Sequence, residues 1–115
     1  DVYKRQVRIL VRPGVTDMRK SINGLSVLVE QEMELNPLED GAVFLFCNRQ
    51  RRIMKALFWD ATGFCLVQKR LEKHRFPWPQ TAEKVREIAG QQLQMLLSGI
   101  DFWHAHERIE YRSVS

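Results

Sequence analysis

Gly14-Val15-Thr16-Asp17-Met18-Arg19-Lys20-Ser21 carries Gly, Lys and Ser at the spacing of a phosphate-cradling P-loop. Arg19 stands where that loop needs its second glycine, and a side chain there crowds backbone that must wrap a phosphate. Ala56–Asp60 imitates the apolar strand ending in Asp that helps to hold magnesium in such enzymes. P-loop enzymes rest on a parallel sheet with helical crossovers, whereas the runs here read as hairpins, so nucleotide hydrolysis is not expected. A smaller role survives. Arg19 and Lys20, beside a helix N-terminus, can hold a single phosphate such as one of a DNA backbone.

The other reactive groups lead to no catalytic set. His104-x-His106 puts two imidazoles on one side of an extended segment, but the near carboxylates are only Asp101 and Glu107, with no Cys nearby. Asp17, Asp60 and Asp101 would have to converge within about 4 Å of shared ions for two-metal phosphoryl chemistry. A helix start, a turn and a helix exit explain them more simply. Cys47 and Cys65 lie inside apolar strands and read as packed thiols. His74, in a Lys-His-Arg run, adds to positive charge. The expectation is a non-enzyme without metal or cofactor.

The constellation that carries most weight is basic and aromatic. Residues 44–79 hold eight Lys/Arg against Asp60 and Glu72, a balance of +6, directly after a 29–43 stretch of five acids and no base. The first block (1–28) balances at +4 and the last (80–115) at −1, so the chain's net +4 conceals a strongly uneven distribution. Arg49, Arg51 and Arg52 stand at one end of an expected hairpin. Lys69, Arg70, Lys73 and Arg75 follow on the next strand. Such cations neutralise phosphates and release counterions, which makes a polyanion the expected partner. Phe58, Trp59, Phe76 and Trp78 are interleaved with them; exposed, they would stack on unpaired bases, and buried, they would pack.

These residues need a scaffold, and the pattern supplies one. Val7–Val11 is a short strand ended by the turn signal Arg12-Pro13-Gly14. Thr16 is placed to cap a helix whose stripe is Met18, Ile22, Leu25, Leu28, Val29 and Met33, stopped at Asn36-Pro37. Gly24 inside it costs about 1 kcal/mol relative to Ala, so packing or a partner requires its small size. Ala42–Cys47 has strand length, Asn48–Arg52 reads as a basic hairpin loop, and Arg52–Trp59 alternates. Asp60-Ala61-Thr62-Gly63 is a turn with Gly63 as its left-handed residue. Phe64–Leu71 continues as a strand with Lys73–Arg75 as its charged end. Pro77 and Pro79 end regular pairing. Ala82–Ile88 fits a helical turn or a short strand. Gln91–Ser98 is a helix with Gly99 as left-handed C-cap and Ile100 folding back. The order β-α-β-β-β-α with hairpin connections predicts an α+β domain: a small antiparallel sheet with two main helices packed on it.

Length and composition agree with one such domain. At 13.6 kDa and 44% apolar residues the chain has room for a single core. No apolar run approaches a membrane span, two cysteines cannot make a disulfide scaffold, and no signal-peptide pattern opens the chain, so a cytoplasmic protein is expected. Asp-Val-Tyr-Lys-Arg-Gln looks like a translated sequencing adapter, and residues 1–6 are set aside as a non-native extension. Residues 7–102 form the expected domain, and 103–115 a polar tail.

Three stretches together resemble a known family. They are Gly14–Leu25; Phe58-Trp59-Asp60-Ala61-Thr62-Gly63-Phe64-Cys65-Leu66 running on through Lys69–Pro79; and Gln92-Leu93 with Leu96–Asp101. Their order and spacing are similar to the small accessory transposition proteins, TnpB, from the second open reading frame of insertion sequence 66 type elements. The RNA-guided nuclease of the same name is a different, far longer protein. The resemblance implies a non-catalytic bacterial accessory factor required for transposition beside a separate DDE transposase, and with the basic residues it makes DNA, the transposase or both the expected partners. It implies no catalytic residues. Arg49, Arg51, Arg52, Lys69, Arg70, Lys73, Arg75, Arg19 and Lys20 are the DNA-contact candidates. The alternative is an adaptor that docks the transposase through its acidic 30–40 stretch or an aromatic surface, without touching DNA.

Overall fold

A computed structural model describes residues 7–99; Ile100, Asp101, the His104-x-His106 pair and the polar tail lie outside them. The elements run β1 (Arg8–Val11), α1 (Ile22–Gln31), β2 (Ala42–Cys47), β3 (Ile53–Asp60), β4 (Gly63–Arg70), β5 (Arg86–Ile88) and α2 (Gly90–Leu97). They build one five-stranded sheet in the order β4-β3-β2-β1-β5. Three of its four pairings are antiparallel, as an α+β domain requires.

The fourth differs from expectation. β1 and β2 are parallel, in the register Arg8↔Ala42 to Val11↔Leu45, and α1 is the crossover between them. Hairpins therefore do not make every connection. β1 lies inside the sheet because the ambiguous Ala82–Ile88 stretch resolves into β5, which pairs antiparallel with it. Covered on both faces, β1 and β2 are almost continuously apolar (Ile9-Leu10-Val11 and Ala42–Cys47) instead of alternating.

Two apolar clusters sandwich the sheet. On one face Leu25, Leu28 and Val29 of α1, with Met33 just beyond it, meet Leu10, Ala42, Phe44, Phe46 and Leu57. On the other, Leu96 of α2 joins Phe76 and Trp78 over Ile9, Val11, Leu45, Cys47 and Met54. Burial holds the Cys47 thiol up at about 12, so this sulfur packs as a small apolar group. Cys65 is only half-buried.

Two local expectations move by a few residues. Ser21, not Thr16, precedes the first turn of α1, and Thr16 is buried, its N–H donating to Cys47 O at 2.8 Å and its Oγ1 accepting from the Arg12 guanidinium at 2.8 Å. In the β3–β4 hairpin the left-handed residue is Ala61 (φ 50°), with Gly63 already in the strand. A left-handed conformation costs an L-residue about 1–2 kcal/mol, while glycine adds unfolded-state entropy of about 0.5–1 kcal/mol. Ala61→Gly is therefore expected to raise stability by about 0.5–1 kcal/mol, read as a higher urea midpoint at unchanged m-value. A lower midpoint would contradict the turn geometry. Gly99 is left-handed (φ 79°) at the end of α2, where a Cβ would sit 3.4 Å from Arg75 O.

Candidate nucleic-acid interface

The carboxyl ends of the parallel strands β1 and β2 point to one end of the sheet, where three loops from distant parts of the chain meet. The first is Arg12–Ser21, leading into α1. Thr16 hangs it on β2, and Lys55 of β3 clamps it from beneath, its Nζ donating to Met18 O at 2.8 Å and Lys20 O at 2.9 Å. Gly24 packs on this loop: a Cβ there would stand 3.2 Å from Lys20 Cβ, which accounts for its small size.

The second loop, Asn48–Arg52, joins β2 to β3. Asn48 Oδ1 accepts from the N–H groups of Arg52 (3.0 Å) and Ile53 (3.1 Å), while Arg51 takes the left-handed conformation (φ 59°). That fixed turn presents Arg49 and Gln50 to solvent. The third loop leaves β4 after Arg70. Its Leu71 N–H donates to Arg52 O at 2.8 Å and its Phe76 N–H to Arg51 O at 2.7 Å, so residues 71–76 lie along the hairpin turn. β4 stops at Arg70, so Lys73 and Arg75 sit on this loop instead of extending the strand. An open groove of about 730 Å³ runs between the first two loops, lined by Val15–Arg19 and Asn48–Gln50.

The structure thus brings the nine candidate cations to one end of the sheet, on loops 12–21 and 48–52, the end of β4 and the loop after it. They are not equivalent. Arg19 pairs with Asp17 at 2.7 Å, Arg70 with Glu72 at 2.8 Å, Lys69 Nζ donates to Leu97 O, and Arg52 reaches Glu72 O. Lys20, Arg49, Arg51, Lys73 and Arg75 hold no carboxylate by ion pair or hydrogen bond among the described residues. Other described cations are paired with acids: Arg8 with Glu39 and Glu87, Arg12 at the start of the first loop with Glu32, and Lys84 with Glu34. Three acids of the 29–43 stretch are consumed in those pairs.

The aromatic part of the constellation is corrected. Phe76 and Trp78 are buried, and Trp78 Nε1 donates to Arg12 O at 2.8 Å, so both hold the third loop to the sheet and neither offers a stacking face. Trp59 and Phe64 pack edge to face at 5.2 Å, near the β3–β4 turn at the opposite end of the sheet. The role of Lys55 has no signal in the sequence: it shows as one Lys in an apolar alternation, with no sign of the carbonyls it reaches.

Asp17 has a further measurable property. The Arg19 side chain, and then the Arg19 N–H, hold its carboxyl down at about 2. A depressed carboxyl favours the folded arrangement above its unfolded pKa, and that preference is lost as pH falls through about 2. An NMR titration is expected to find the Asp17 midpoint near 2, and Arg19→Ala to move it toward 3.8. An unmoved midpoint would remove Arg19 as the cause.

Among the described residues no group of three or more His, Cys, Asp or Glu converges on a metal position, and no helix is long and apolar enough to cross a membrane. The P-loop-like stretch does follow a strand and lead into a helix beside a parallel partner strand, so hairpin connections are no argument against it. Arg19 in place of glycine still is.

Comparison with known proteins decides the family. The IS66 Orf2-like protein family model matches residues 7–107. The chain belongs to that family. Its members are accessory proteins of insertion-sequence transposition. A Sinorhizobium fredii (strain NBRC 101917 / NGR234) protein, "Uncharacterized protein y4hO", is 40% identical over 103 residues, covering 90% of this chain and 89% of its own. A second from the same strain, "Uncharacterized protein y4jC", is 28% identical over 98 residues, covering 85% and 83%. No solved structure matches. In the IS66 Orf2-like chain described here, the Gly14–Leu25 and Phe58–Pro79 stretches supply the first and third loops of the cationic end.

Proposed function

We propose that this IS66 Orf2-like protein assists transposition by holding DNA through the cationic end of its sheet, as a non-catalytic factor working beside the element's transposase in the bacterial cytoplasm. The observation that supports this reading is the contrast in ion pairing. Among the described residues Arg8, Arg12 and Lys84 are paired with acids, whereas Lys20, Arg49, Arg51, Lys73 and Arg75 gather on three loops with no carboxylate bonded to them. A phosphate backbone supplies the missing charge, and counterion release supplies the affinity. Phe76 and Trp78 are buried, so neither offers bases a stacking face at this end, which favours backbone contact by the described residues.

The alternative, an adaptor docking through the acidic stretch, loses ground because Glu32, Glu34 and Glu39 already pair within the chain. The test uses Arg49→Ala/Lys73→Ala, two exposed side chains whose removal breaks no side-chain hydrogen bond or ion pair among the described residues. Affinity for element-end DNA is expected to fall, and the slope of log K against log salt to flatten by about 1.8, about 0.9 per lost phosphate contact. Unchanged affinity and slope would overturn direct DNA contact. Transposase capture from nuclease-treated lysate would then favour the adaptor.

A further inference from the structure

The two edges of the sheet are built differently. β5 is three residues long with two charges, a common way of blunting an edge. β4 is eight residues long, pairs with β3 without a bulge from Asp60↔Gly63 to Ile53↔Arg70, and has neither proline nor charge over Gly63–Gln68. The Leu71 N–H bond to Arg52 O fixes the phase of this ladder. Because bonded and non-bonded pairs alternate, Gly63, Cys65, Val67 and Lys69 direct their main-chain groups to β3. Phe64, Leu66, Gln68 and Arg70 direct theirs outward, and no described element bonds to them. Phe64, Cys65 and Leu66 are half-buried, while Val67 is 54% exposed.

We infer that this edge pairs with the β4 edge of a second copy of the chain, antiparallel about a two-fold axis at Val67. In that register each Val67 lies against its equivalent, Leu66 faces Gln68, Cys65 faces Lys69 and Phe64 faces Arg70. Opposed residues are of equal parity and so share a face of the sheet. Charge selects this arrangement. The terminal Lys69 and Arg70 meet an uncharged Cys65 and the ring of Phe64, a favourable partner for guanidinium. Parallel in-register pairing would instead set Lys69 beside Lys69 and Arg70 beside Arg70, like charges directly opposed. The two-fold contact is closed, because it uses the long edge of both chains and leaves only the short β5 edges. It joins two five-stranded sheets and points the two cationic ends in opposite directions.

Light scattering on the full chain tests this without DNA, so its outcome is independent of the proposed function. The wild type is expected at twice 13.6 kDa and Val67→Lys at 13.6 kDa, because two lysines would then oppose each other across the axis. Gln68→Pro removes only an outward N–H and is also expected to be monomeric. Val67→Cys in a Cys65→Ser background is expected to cross-link under mild oxidation, since non-bonded antiparallel pairs have Cα separations of about 4.5 Å, within disulfide reach. A monomeric wild type, a dimer unchanged in both Val67→Lys and Gln68→Pro, or no cross-link through residue 67 would overturn the inference.

Discussion

Trp78→Ala is expected to lower the free energy of unfolding by about 3–5 kcal/mol, the usual cost of emptying a large aromatic site in a packed core. Trp78 is 4% exposed and lies with Phe76, Met54, Val11 and Leu96 on the α2 face of the sheet. Its indole N–H also donates to Arg12 O across 66 residues, and that donor is lost with the ring. Domains are typically stable by about 5–15 kcal/mol, so the variant is left near the limit of folding. Urea unfolding followed by far-UV circular dichroism reads the change directly. Trp78→Phe is expected to recover most of the packing and to lose about 1 kcal/mol for the hydrogen bond. A Trp78→Ala protein with unaltered stability but impaired DNA binding would reverse the assignment and return Trp78 to the surface.

Lys55→Met is the second large effect, expected at about 2–4 kcal/mol. Methionine keeps the stem and the packing on the α1 face but cannot donate to Met18 O and Lys20 O. Bonds from a charged donor contribute about 1.5–3 kcal/mol each, and water replaces part of the loss where the carbonyls are near the surface. The damage is expected to be local. Amide exchange should quicken across residues 16–22, while the β3–β4 ladder keeps its protection. If the proposed DNA contact is right, affinity falls as well, because Arg19 and Lys20 ride on the clamped segment. Uniform exchange through residues 16–22 in wild type and variant would show that Lys55 holds nothing.

Local periodicity specifies α1, the β3–β4 hairpin and the left-handed Gly99, because each is set by residues near in sequence. The parallel β1–β2 pair departs from the expected hairpins, although the sequence carries its signal: Ile9-Leu10-Val11 and Ala42–Cys47 do not alternate, which is how strands covered on both faces read. β5 is too short for its three residues to declare a period, and only pairing with β1 settles it. At the cationic end the residue types were visible, while their grouping depended on two main-chain bonds from the 71–76 loop to Arg51 and Arg52. Which cations are already matched depends on Glu32, Glu34, Glu39 and Glu87 meeting bases far along the chain. No spacing rule reaches that distance.

The pairing of β1 with β5 sets a condition on synthesis. Ile9 meets Ile88, 79 positions later, whereas β2, β3 and β4 meet through short hairpins. A ribosome adding about 5–20 residues per second takes about 4–16 s to travel between them. Through that interval β1 has at most β2 beside it, and the apolar Ile9 and Val11 lack their cover of Phe76, Trp78 and Leu96. A translation product halted near residue 70 would therefore expose a sticky strand edge at each side of its sheet, β1 and β4. Premature termination in this reading frame should yield insoluble fragments, with solubility gained only once the chain has passed β5 and α2.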